Sequence, residues 1–224
     1  MKTLRIIALS FAASALMIVS SNAFEVRIGA SVGFAQIEAD GSETLKTTSV
    51  VTTHSEQANA IIPSLFAEIG IWKGFGVGID NISGTADLAG GKRNRVDVGT
   101  HSDAVVTTTN TADAEVDGIR TNYFVKTFNN GLILKYGTST ADVITKETLA
   151  TGTTYGNKSV DGTHYGIGYE RLNDDNGLFF RTVYEHTDFD EIKLTGSADA
   201  DDLTNIIKAN VDVTMLRLSV GKKF

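Results

Sequence analysis

His186 and Asp188 lie two residues apart, so an extended chain puts both side chains on one face, where a carboxylate could orient an imidazole base. No serine in a comparable context completes a nucleophilic set around them. His54 and His101 stand in threonine-rich segments, and His164 is followed by Tyr165 and Gly166. Asp199, Asp201 and Asp202 carry the oxygen ligands that a divalent cation takes. They lack the ordered acid and glycine pattern of a calcium loop, and a helix cap accounts for Asp201 or Asp202 equally well. Lys92, Arg93 and Arg95 suit phosphate groups, as they also suit a solvated loop. The expectation is no catalytic, cofactor or metal site.

A second constellation is more ordered. Glu25, Arg27, Glu68, Asp80, Arg120, Lys126, Lys135, Glu170, Arg181, Glu185 and Arg217 each sit in a segment that alternates polar and apolar residues. The two signs nearly cancel. Charges kept away from water must be paired, so this set suits an ion-pair network inside a closed sheet.

The elements that would position these charges are strands. Phe24, Val26, Ile28, Ala30, Val32 and Phe34 alternate with Glu25, Arg27, Gly29, Ser31 and Gly33. Similar runs start near Pro63, Phe75, Ile119, Leu132, Thr163, Leu178 and Val211, making eight strands. On the fourth, Ile119, Thr121, Tyr123 and Val125 are expected on the apolar face, opposite Arg120, Asn122, Phe124 and Lys126. Short turns are expected at Trp72-Lys73-Gly74, with Gly74 left-handed in a three-residue hairpin, and at Asn130-Gly131, as a primed turn. A four-residue turn over Asp174-Asp175-Asn176-Gly177 would set Glu170 directly across from Arg181 and pair them. Between the short turns run four long polar segments. The first, from about Ala39 to Ala60, reads as a loop or as the wet extension of two strands. The last holds Leu203, Ile206 and Ile207 at helical spacing, which suggests a short helix.

This rhythm of long and short connections describes an up-and-down meander with all short turns at one end. The apolar face carries Phe24, Phe75, Tyr136, Phe180 and Phe224 toward that end, as an interfacial girdle would. The expected fold is all-β: an eight-stranded antiparallel transmembrane β-barrel with four long extracellular loops and three short periplasmic turns. A soluble barrel of lipocalin type, with its apolar face inward, remains the alternative.

Composition bounds the rest. The chain has 224 residues, 42% hydrophobic, with 1 Pro, 0 Cys and 22 Gly, and fits one domain. Its mean hydropathy of -0.02 is far from that of a helical membrane protein. Lys2 and Arg5, an apolar run from Ile6 to Val19, and Ser21-Asn22-Ala23 read as a cleaved secretory signal over residues 1–23, leaving the barrel at 24–224. Removing those two cations takes the net charge from -7 to -9. So acidic an exported chain is a poor partner for nucleic acid.

Together the export signal, the alternating strands, the loop asymmetry and the terminal Val-Gly-Lys-Lys-Phe resemble the small outer-membrane β-barrels of Gram-negative bacteria, of the OmpA-transmembrane, OmpX and Opa type. The likeness spans the mature chain, and the C-terminal aromatic is its one motif. It implies a place in the bacterial outer membrane, among its lipids and lipopolysaccharide. It also implies that the barrel-assembly machinery reads Phe224 and the strand before it. His164 does not begin the His-x-Ser pattern of the lipid A deacylases among such barrels. The expected role is non-enzymatic: display of polar loops for structure, adhesion or contact with a surface receptor. A small gated pore for ions or solutes is the alternative.

Overall fold

The computed structural model describes residues 24–44, 49, 51–82, 84–87, 93–101, 104–148, 154–197 and 206–224. The expected leader, Lys92, Asp199, Asp201, Asp202 and the side chains of Arg93, Arg95 and His101 lie outside the described residues.

Among the described residues eleven strands form one antiparallel sheet: β1 (Glu25–Thr44), β2 (Val51–Trp72), β3 (Phe75–Ile82), β4 (Thr85–Asp87), β5 (Arg93–His101), β6 (Ala104–Thr127), β7 (Leu132–Thr148), β8 (Lys158–Leu172), β9 (Leu178–Phe189), β10 (Ile192–Thr195) and β11 (Ile206–Lys223). Because β1 pairs with β2 on one side and β11 on the other, the sheet closes into a barrel. Eight staves make its wall, namely β1, β2, β3, β6, β7, β8, β9 and β11. Beyond Ile82, β4 and β5 continue the third stave along β6, and β10 continues β9 along β11.

The stagger of the barrel follows from its register. Paired residues lead from Gln36 through Thr214, His186, Tyr165, Tyr136, Phe124, Val77 and Ile69, and return to β1 at Val26, a displacement from residue 36 to residue 26. Eight staves with that stagger tilt about 40° from the axis and stand on a backbone radius of about 8 Å. Such a cylinder is filled by its own side chains.

The three tight turns share one end, with geometry that differs in part from expectation. Lys73 and Gly74 form a two-residue loop, both at positive φ (46° and 77°), rather than a three-residue one. At Asn129-Asn130-Gly131 the Gly131 N–H donates to the Phe128 carbonyl and the Phe128 N–H to that of Leu132, with Gly131 alone at positive φ (88°). That is a three-residue loop closed by a glycine bulge, not a primed turn. The Asp174–Gly177 turn has the four-residue form, closed by the Asn173 N–H on the Leu178 carbonyl.

At the other end the long polar segments are largely strand. β1 and β2 run together as far as Thr44 and Val51, and β5 forms a hairpin with the start of β6. Ile206 and Ile207 belong to β11 and not to a helix, because ladders to β1 and β10 take their backbone groups from both sides.

Candidate functional site

The inward faces of the staves divide the interior into two storeys. In the storey nearer the tight turns, Arg181 lies at the centre, with its guanidinium 5.3 Å and 5.2 Å from the ring centroids of Phe66 and Phe179. Its Nη1 donates to Glu68 Oε1 at 2.6 Å and its Nη2 to Glu170 Oε2 at 2.7 Å. Glu170 also accepts from Arg27 Nη1 at 2.6 Å, and Arg27 in turn bonds Glu25, which Lys223 approaches at 3.0 Å. Tyr123 donates its hydroxyl to Glu68 at 2.9 Å. Next toward the loops, Glu185 takes Lys135 at 2.9 Å and lies 2.7 Å from Arg217 Nε, while Arg217 Nη1 holds Asp80 and Ser64. Apart from Glu25 and Lys223, which are partly exposed at the turn end, these groups are buried, and each charge has an opposite charge against it.

Glycines make room for the large rings among them. Phe66 faces Gly29, Phe179 faces Gly221 and Tyr123 faces Gly78 across their ladders. A Cβ on Gly29 or Gly78 would stand 2.5 Å from the ring opposite. Sequence reasoning put Tyr123 on the opposite, apolar face; its cross-strand glycine is the signal that marks it as a lumen residue.

Nearer the loops the interior turns apolar. Ala35, Ile37, Ile62, Ile82, Val116, Ile119, Val213 and Met215 are buried together, joined by Phe189, Ile192 and Tyr155. His164 sits where the storeys meet, its Nδ1 2.9 Å from Thr187 Oγ1 and its Nε2 4.0 Å from Glu185.

Outside, the order is reversed. Around the charged storey the outer wall is apolar, with Ile61, Leu65, Ile167, Leu216, Leu218 and Val220 exposed. Around the apolar storey it carries Gln36, Glu38, Asn59, Asp142, Asp161, Asp188 and Asp212. Asp188, Asp212 and Glu38 stand directly opposite one another on β9, β11 and β1.

Two of the eleven charges expected inside are not there. Arg120 points outward, as does Lys126, which donates to the Lys73 carbonyl at 2.5 Å and lies over the Phe75 ring. The faces of β6 are inverted relative to expectation: Ile119, Thr121, Tyr123 and Val125 are inside, and Phe124, at 68% exposure, is outside. Both faces of this strand mix polar and apolar residues, so alternation gives its period but not its direction. The fit of Tyr123 beside Gly78 and Gly137, and its bond to Glu68, decide it. A register shift between Asp117 and Arg120, with Gly118 at φ 62°, then changes parity so that Val116 is inside again. The other nine, Glu25, Arg27, Glu68, Asp80, Lys135, Glu170, Arg181, Glu185 and Arg217, are brought together in the lumen.

Phe24, Phe75, Phe180 and Phe224 are exposed outward at the turn end, beside Trp72, Phe128 and Tyr169. Tyr136 is not at that edge. It stands in the row Phe124, Tyr136, Tyr165, halfway up the belt. The Phe224 N–H donates to the Val26 carbonyl at 2.8 Å, so the terminal residue closes the barrel seam.

His186 is no catalytic pair with Asp188. Its Nδ1 lies 2.9 Å from Thr214 Oγ1, and the carboxylate nearest its Nε2 is Asp212, at 3.8 Å, across the ladder.

A closed eight-stave barrel, apolar outside and ion-paired inside over half its height, has the fold of the small outer-membrane β-barrels. No family model and no curated relative matches the sequence. Among solved structures, the outer-membrane protein OprG of Pseudomonas aeruginosa is similar over 90% of this chain and 96% of its own, at 13% identity and a TM-score of 0.53. Neisserial surface protein A covers 91% and 98% at 12% identity, with a TM-score of 0.41. The attachment invasion locus protein Ail of Yersinia pestis, solved with the heparin analogue sucrose octasulfate, covers 89% and 99% at 14% identity, with a TM-score of 0.41. At these identities the likeness is one of fold.

Proposed function

We propose that this protein is a non-enzymatic integral barrel of the bacterial outer membrane, whose wall holds extended polar strands and loops at the cell surface for structure, adhesion or receptor contact. The observation that carries the reading is the reversal of polarity along the wall. Where the outside is apolar the inside is charged, and where the outside is acidic the inside is apolar. A soluble ligand-binding barrel would keep its apolar side inward throughout. Only a wall that leaves lipid for water partway up should change its pattern there, because the side facing water must be polar and the side facing lipid must not.

Residues 1–23 serve as the cleaved export signal. Phe224 and the outward residues of β11 form the segment read by the assembly machinery, and Phe24, Phe75, Phe180 and Phe224 sit at the periplasmic interface. The pore reading is disfavoured on two counts, since a solute would have to cross a storey of paired charges and then an apolar one. Expression with outer-membrane fractionation tests the proposal. The folded protein should need detergent and should migrate faster unheated than boiled. Recovery from the soluble periplasm would refute it.

A further inference from the structure

On the side of β2 the wall is laddered only as high as Ser64. β3 pairs with β2 from Trp72 up to Ser64, which stands opposite Ile82, and β4 and β5 then follow β6. β2 itself runs on to Val51, laddered to β1 on one side and, among the described residues, to no strand on the other.

The register fixes which backbone groups this leaves over. Val26 exchanges main-chain bonds with Phe224, so the even-numbered residues of β1 turn their backbone groups to β11 and the odd-numbered ones to β2. Gly33 pairs with Ile62 and Ala35 with Ala60, so the even-numbered residues of β2 are the ones bonded to β1. Thr53, Ser55, Gln57, Asn59 and Ile61 therefore turn their N–H and C=O groups to the open side. Pro63 has the same parity, and its nitrogen carries no hydrogen, so the single proline stands at the foot of this edge without costing the β1 ladder a donor.

An unpaired strand edge templates another extended chain, and sheets that avoid such pairing place lysine, proline or a bulge on it. From Val51 to Ile62 β2 has none of these. The outward row beside the edge is acidic. Glu38 lies opposite Gln57, Asp40 opposite Ser55, and Asp212 opposite Glu38 on the far side of β1. Glu38 accepts from Gln36 at 2.8 Å and from Gln57 at 3.2 Å, neither of which brings a charge, and Lys208 on β11 is taken by Glu191 at 3.0 Å.

Resting on the outer-membrane reading above, we propose that the edge of β2 from Thr53 to Ile61 takes up an extended, lysine- or arginine-bearing segment of a partner polypeptide as an added strand. Main-chain bonds hold the segment, and its cations lie in the outward row within reach of Glu38 and Asp40. A second copy of the chain is a poorer occupant. Copies in one membrane are related by an axis along its normal, so staves tilted about 40° would cross at about 80° instead of running side by side. A copy would also bring the same carboxylates.

The test uses the full mature protein in detergent micelles, with amide exchange followed by NMR. Without a partner the amides of Thr53, Ser55, Gln57 and Asn59 should exchange faster than those of Thr52, His54, Glu56 and Ala58. A capped nine-residue peptide of alternating lysine and threonine should slow the odd-numbered set. The same peptide methylated on alternate backbone nitrogens should not, and one with glutamate for lysine should bind about tenfold more weakly. Ser55→Pro removes an edge donor without touching the β1 ladder and should abolish binding. Glu38→Gln with Asp40→Asn should weaken the lysine peptide about tenfold and leave the exchange pattern of the protein alone unchanged.

Equal exchange in the two sets, equal binding of the methylated peptide, or no binding of the lysine peptide would each overturn the proposal. So would protection of the odd-numbered set that rises with protein concentration and needs no peptide, since a second copy would then hold the edge. Heat-modifiable migration identical to that of the wild type excludes misfolding of the variants. If the protein needs no detergent at all, the membrane reading fails on its own, whatever the edge binds.

Discussion

Arg181 and Glu170 face each other across the β8–β9 ladder with Nη2 2.7 Å from Oε2, and the same guanidinium reaches Glu68 across the lumen. One cation thus compensates two buried carboxylates. Arg181→Met should cost about 3–5 kcal/mol, because it leaves both acids without that partner in a dry interior. Adding Glu68→Gln and Glu170→Gln should recover more than half of the loss. Urea unfolding in phospholipid vesicles would measure it, with Trp72, the single tryptophan, as reporter at the outer edge.

Tyr123 occupies the space that Gly78 leaves open. Gly78→Val should destabilise the barrel by about 1–3 kcal/mol through overpacking. Tyr123→Ala placed in the same chain should relieve much of that, so the two substitutions should be strongly non-additive in a double-mutant cycle.

Reconstituted in planar bilayers, the wild type should give no stepwise conductance. Arg181→Ala should give none either, since the apolar storey around Ile37, Val213 and Phe189 stays closed above the breach. Steady single-channel steps from Arg181→Ala alone would show that the apolar storey does not seal.

Asp212 lies beyond the apolar belt on the loop side. Partial burial raises its carboxyl above the usual value of 3.8, and Asp188, Glu38 and Asp40 add to this while His186 opposes it. The folded state therefore prefers the protonated acid. Its contribution to stability is complete below about pH 3.8 and is lost as pH rises through the elevated folded value. Asp212→Asn should accordingly stabilise the protein at neutral pH, and the gain should shrink to nothing as pH falls below 4 in a series of urea titrations. A gain that grows on acidification would contradict the assignment.

Much of the barrel was legible in the sequence because a closed sheet with different surroundings on its two faces imposes a period of two. That period, read with three tight-turn signals, located the staves and their shared turn end. It also set Glu170 opposite Arg181, since a four-residue turn fixes the register of the strands it joins. What alternation cannot supply is direction where both faces are mixed. On β6 the choice fell to Tyr123, whose ring needs the space at Gly78, 45 residues before it, and whose Cα and Cβ need Gly137, 14 residues after it.

Only the tertiary structure decided that Arg120 and Lys126 face outward, that the interior changes from charged to apolar partway up, and that Ile206 and Ile207 lie in a strand. Each of these depends on what a residue meets across the barrel or across a ladder. The sequence by itself determined how side chains alternate along each strand. Which partners and which medium they would meet was fixed by the closure of the sheet, because the stagger of its eight staves brings distant residues to one level.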